Sequence, residues 1–165
     1  MSDEATPPDG PRSRAVRRRD TERRLADDVD LWVGTASRGG VPHLVPLSFD
    51  WDGEHVLLAT PADSPTGRNL AGSGDVRLAL GGTRDVTTVE GSVEVVPLDA
   101  LPDAVGDRFA ARTGFDPRAE GPGYAWFRVR PVRVQAWREA NELAGRELMR
   151  EGRWLVDAAT AGEGR

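Results

Sequence analysis

From Asp30 to Trp137 the chain is a succession of short runs in which apolar and polar residues alternate, with glycine, proline and aspartate between them. Alternation gives each run one face for a core and one face outside it, which is the pattern of a strand. Asp30-Leu31-Trp32-Val33-Gly34-Thr35-Ala36-Ser37 stops at Gly39-Gly40, after which Val41, His43, Val45, Leu47 and Phe49 share one face. Asp52-Gly53 predicts a two-residue hairpin turn and His55 to Thr60 its return strand. Val76, Leu78 and Leu80 alternate next, and Val86 to Val96 reads as a long strand with Gly91 at a bulge or bend. The last strong strand starts at Tyr124, is interrupted at Pro131, which cannot donate to a ladder, and resumes to Trp137. A final hairpin sets Leu148-Met149-Arg150 against Arg153-Trp154-Leu155 across Glu151-Gly152.

Helical signals are few. Leu101, Val105 and Phe109 stand at i, i+4 and i+8, and Gly114 ends that pattern. Strands at short spacing, without strand–helix alternation, predict a mainly β fold: a small antiparallel barrel with one or two helices over its openings.

Composition narrows the chemistry. With 165 residues the chain is the size of one domain. It has no cysteine, hence no disulfide, thiolate nucleophile or iron–sulfur cluster, and all 22 basic residues are arginine, which removes Schiff-base chemistry and a phosphate-loop lysine. Only His43 and His55 are imidazoles, so no metal site built on several histidines is expected. A net charge of −5 argues against a general nucleic-acid binder. No apolar run approaches a membrane span and the first residues are polar, so a cytoplasmic protein without membrane contact is expected.

The ends read differently from the middle. Residues 1–24 carry Pro-Gly-rich sequence and then Arg12, Arg14, Arg17, Arg18, Arg19, Arg23 and Arg24, which predicts a flexible basic arm leading into a short helix over Thr21 to Asp27. The barrel domain is placed at 25–157 and a loose tail at 158–165. One reading of the arm is a nucleic-acid contact, whose binding would collapse with salt. Another is a solvated leader.

One segment has the makings of an anion site. Ser64 is a good N-cap and Pro65 sits at the first helical position. A helix start presents unpaired amides and the positive end of its dipole, Ser64 and Thr66 add hydroxyls, and Arg68 lies one turn along on the same face. The same residues equally describe an ordinary capped helix with an exposed arginine. A Ser48–His43–Asp50 hydrolase has no Gly-x-Ser-x-Gly elbow to support it, and Gly72-Ser73-Gly74 lacks the order of a dinucleotide-binding turn.

The order of parts adds to this. Ser37 to Phe49, Trp51-Asp52-Gly53, Thr60, Ser64 to Leu70, Val76 to Leu80, Val89 to Val93 and the late Phe127 to Trp137 together resemble the pyridoxamine 5'-phosphate oxidase-like, flavin-binding split-barrel family. The resemblance implies a six-stranded antiparallel Greek-key split barrel with a few short helices, forming a homodimer with its cofactor sites at the subunit interface. It implies FMN or the 5-deazaflavin coenzyme F-420 and an oxidoreductase acting on a small-molecule substrate. Val45, Pro46, Leu47 and Ser48 would border the flavin ring, Thr60 the ribityl chain, and Ser64, Thr66, Arg68 and Asn69 the phosphate. Many members carry a lysine shortly before the Arg-Asn pair, where this chain has Pro65 and Thr66. Trp126, Trp137 and Arg84 are candidates for a substrate pocket, with no catalytic residue singled out. The alternative on the same barrel is a non-catalytic binder of haem, another tetrapyrrole or flavin.

Overall fold

The computed structural model describes residues 10–162. Six strands form a closed antiparallel barrel: β1 (Asp30–Ala36), β2 (Pro42–Trp51), β3 (Val56–Pro61), β4 (Asp75–Gly82), β5 (Asp85–Val96) and β6 (Tyr124–Trp137). They lie in the order β3-β2-β1-β4-β5-β6, and β3 pairs back onto β6 from Pro61↔Tyr124 to Val56↔Val129, which closes the ring. β7 (Glu147–Arg150) and β8 (Arg153–Trp154) continue the sheet from β6. Helices α1 (Arg14–Asp27), α2 (Pro65–Ser73) and α3 (Asp103–Thr113) complete the fold. The architecture is the mainly β antiparallel barrel expected from the alternating runs, and the split barrel that the resemblance implies.

The bend in the long strands has two causes that meet at one place. Gly91 pairs with Pro131 while Glu90 pairs with Arg133, so Val132 is an extra residue in β6. Pro131 cannot donate there, and a Cβ at Gly91 would overlap the Val129 side chain and lie 3.0 Å from the Arg130 carbonyl oxygen. Strand alternation then builds two cores. Leu31, Val33, Phe49, Leu58, Leu78 and Phe127 fill the barrel, and Leu57, Ala59, Trp126 and Phe109 form a second layer between α3 and the outside of β3 and β6. Burying each such large side chain contributes roughly 1.5–3 kcal/mol.

Three local expectations change. The Asp52-Gly53 turn is a four-residue loop, because Asp52 Oδ1 accepts the amides of Glu54 (2.8 Å) and His55 and folds the backbone around its own carboxylate; β3 therefore begins at Val56. The amino-terminal helix starts at Arg14 instead of Thr21, capped by Ser13, whose Oγ accepts from Val16 N. Its inner face is Arg17, Thr21 and Leu25, all buried. The Arg17 guanidinium donates to the carbonyls of Ala136 and Glu142, Arg14 to that of Glu147, and Arg24 to that of Asp85. The part of the expected basic arm that is described thus grips the barrel; residues 1–9 of that arm lie outside the described residues. Near the other end, Ala159 is buried and donates its amide to Ala15 O, so the expected loose tail is held at that point; residues 163–165 also lie outside the described range. Among the described residues no helix is long and apolar enough to cross a membrane.

Candidate functional site

Outward-facing residues of β2 and β3 form the floor of a groove of about 440 Å³. Pro46 and Ser48 alternate outward on β2, while Val45 and Leu47 turn toward the barrel core; Leu47 also reaches the groove edge. Ala59, Thr60 and Pro61 supply the β3 side. Phe109 of α3 and the tilted pair Phe115–Tyr124, with ring centroids 5.6 Å apart, make an aromatic wall. Its polar corner is Asp30, opposite Ser48 in the β1–β2 register, where Ser48 Oγ donates to Asp30 Oδ1 at 2.6 Å. Such a volume, mostly apolar with a few convergent polar groups, is the usual form of a small-molecule site.

α2 begins beside this groove. Thr60 Oγ1 lies 3.4 Å from Ser64 Oγ, which donates to Pro61 O (2.7 Å) and accepts from Gly67 N (3.0 Å) as the helix cap. Gly67 is required by close approach: a Cβ there would sit 2.8 Å from the Ala62 carbonyl oxygen and closer still to that of Pro61. The Arg68 amide is taken by Ser64 O. Pro65 has no amide hydrogen, so within Pro65–Arg68 the Thr66 N–H is the first-turn donor left over. Thr66 itself is buried. Arg68 is exposed, its guanidinium donating to Asp63 O, and Asn69 turns inward, donating to Thr35 Oγ1 at 3.1 Å. The sequence-expected anion cluster is thereby split. Ser64 and Asn69 serve the fold, and Arg68 remains the exposed cation.

The three pocket candidates from sequence stand elsewhere. Trp126 is wholly buried beneath α3, edge-on to Phe109 at 5.0 Å, with Nε1 donating to Leu98 O. The packing of α3 over β6 takes it out of any pocket. Trp137 ends β6 at the opposite extreme from Tyr124, with the Arg146 guanidinium 5.6 Å from its ring. Arg84 is exposed in the β4–β5 turn, 3.3 Å from Glu139. None of the three lines the groove. The aromatic wall was missed, although Tyr124 is the only tyrosine in the chain.

The hydrolase grouping is not assembled: Ser48 bonds Asp30, Asp50 bonds Arg108, and His43 lies on the other face of the same strand. A second, wider hollow of about 600 Å³ lies beside His43 and Thr35 at the β1–β2 end. Among the described residues no group of three or more His, Cys, Asp or Glu could hold a metal ion.

Comparison with known proteins agrees with this architecture. In sequence, no curated protein matches. Among solved structures, an F420 reductase is 22% identical with a TM-score of 0.57, over 68% of this chain and 94% of its own. A putative pyridoxamine 5'-phosphate oxidase from Listeria innocua is 12% identical with a TM-score of 0.59, over 73% and 97%. General Stress Protein 26 from Bacillus anthracis str. Sterne is 17% identical with a TM-score of 0.53, over 72% and 92%. These likenesses are of fold. A family model described as pyridoxamine 5'-phosphate oxidase matches residues 22–138, which takes in the barrel and the whole groove floor. The chain belongs to the pyridoxamine 5'-phosphate oxidase family.

Proposed function

We propose that this protein is a cytoplasmic, homodimeric oxidoreductase that binds FMN or coenzyme F-420 in the groove and acts on a small organic substrate. The observation that carries the reading is the convergence of Pro46, Leu47, Ser48 and Thr60 on one aromatic-walled groove, with the start of α2 a single contact away from Thr60. The donor set fits such a group. A groove lined by Pro46, Ser48 and Ala59 with Phe115 and Tyr124 suits a planar tricycle, and the exposed Arg68 with the Thr66 amide suits a phosphate. The phosphate would be held by one cation fewer than in relatives with a lysine at this place.

Bound there, a flavin or deazaflavin supplies the hydride chemistry itself. The chain's own residues bind and orient. Ser48 and Asp30 offer a hydroxyl and a carboxylate at one rim, the aromatic wall excludes water from one side, and Arg68 neutralises the anionic end. For the dimer, the support is the outer face of β1 and β2. Trp32 (48% exposed) and Leu44 (64% exposed) flank Pro46 there, left uncovered by the described residues, next to the groove.

Titration of the ligand-free protein with FMN and with F-420, followed by fluorescence, tests the cofactor. Micromolar or tighter binding of either is the expected result. If neither binds while haem does, the non-catalytic alternative replaces this reading. Sedimentation at micromolar concentration should give a dimer, and a Trp32→Ser, Leu44→Ser double variant a monomer.

A further inference from the structure

Besides the packing of Phe109 on Leu57, Ala59 and Trp126, the groove's aromatic wall is tied to β2 by one buried ion pair. Asp50 follows Pro46 and Ser48 on the outward face of β2, yet it is only 2% exposed, because α3 covers it. Arg108 Nε donates to Asp50 Oδ2 at 2.6 Å, and Arg112, one turn further along α3, places Nη1 3.6 Å from Oδ1. The Arg112 guanidinium also stacks 4.9 Å from the Phe49 ring and donates to the carbonyls of Leu25 (2.7 Å) and Asp28 at the end of α1. Asp28 leads into Asp30, the polar corner of the groove, and Phe109 of the wall lies between the two arginines. One arginine pair thus fixes α3 to β2 and to the end of α1 that leads into β1. Neither arginine lines the groove.

We propose that Asp50, Arg108 and Arg112 are positioning residues that set the spacing between the aromatic wall and the β2 floor, and so the affinity for a planar ligand. The inference rests on the groove being the ligand site. A buried carboxylate between two guanidiniums holds one geometry, since any shift of α3 would leave the charge unpaired away from water. Loosening it would let Phe109 and Phe115 drift from the floor without removing any group that touches the ligand.

Arg108 is half exposed and Arg112 still faces Asp50 without it, so its replacement removes one partner of the buried carboxylate while the apolar core keeps its residues. In the ligand-free full chain, Arg108→Ala should speed amide exchange in α3 by about tenfold while the β5–β6 ladder keeps its protection. The same variant should weaken FMN binding by about tenfold, and Arg108→Lys, which restores a charged donor, should recover most of both effects. Unchanged exchange in α3 would overturn the positioning role and leave the flavin reading standing. Faster exchange with FMN affinity within about twofold of the parent would overturn the link to the ligand. If the parent protein binds no flavin, the site reading fails and this inference fails with it.

Discussion

The two ends of the barrel handle charge in opposite ways. At the β4–β5 turn, Arg12 meets Glu142 (2.9 Å), Asp20 (3.1 Å) and Asp85 (3.3 Å), while Arg24 and Arg138 also reach Asp85. Glu142 is 2% exposed and accepts the backbone amides of Arg12 and Arg138 besides. Every strong charge there has a partner inside the protein. At the α2 end, Arg68 rests on a single carbonyl and the Thr66 amide is left over. Charges satisfied internally hold a fold together, and an exposed cation with one carbonyl for a partner is what a ligand can recruit. The Arg-rich helix, the more conspicuous feature in sequence, belongs to the first kind.

That contrast is open to attack. The largest effect should come from Arg12→Ala, which strands a buried Glu142. Urea unfolding should show a loss of roughly 3–5 kcal/mol, with flavin affinity of the folded fraction unchanged. Equal damage to both would merge the two ends into one system.

Acid gives the next effect. Burial alone would raise the Glu142 carboxyl, but hydrogen bonds from the Arg12 side chain and the Arg12 and Arg138 amides outweigh it and hold the group down at about 2, against an ordinary 4.5. A carboxylate depressed in the folded state stabilises above its unfolded value and loses that contribution as pH falls. About 3 kcal/mol should therefore fade between pH 4.5 and 2, and Glu142→Gln should flatten that part of the profile.

For the other end, Arg68→Ala should cost about 1.5–3 kcal/mol of cofactor affinity, with stability within about 0.5 kcal/mol of the parent. An affinity equal to the parent's would remove the phosphate from α2. The smallest change is expected for Trp137→Ala with Arg84→Ala. Both stand away from the groove, so flavin affinity should move by less than about 0.5 kcal/mol in the same titration.

Local rules made much of the fold legible. The Ser64 cap, the Gly114 stop at φ 72° and the Glu151-Gly152 turn, with φ 51° and 75°, each follow from a few neighbouring residues. Gly91 and Pro131 were read as separate irregularities, and the structure pairs them. α1 was half hidden because its inner face holds an arginine and a threonine as well as Leu25; only tertiary partners such as Ala136 O make that burial tolerable. The family resemblance, not a local pattern, pointed to Pro46, Leu47, Ser48 and Thr60, which the structure sets along one groove. Phe109 and Phe115 reach it through the packing of α3 and Tyr124 through its pairing with Pro61, neither of which a local pattern reveals.

The bond from the Ala159 amide to Ala15, with Arg18 donating to Val156 O, stitches the two ends of the described chain together. Topologically the molecule is close to a ring. A short peptide joining the two ends of the described range, in place of the segments beyond them, should therefore be accommodated, and the circle reopened at the exposed Gly39-Gly40 bend, leaving the β3–β6 seam uncut.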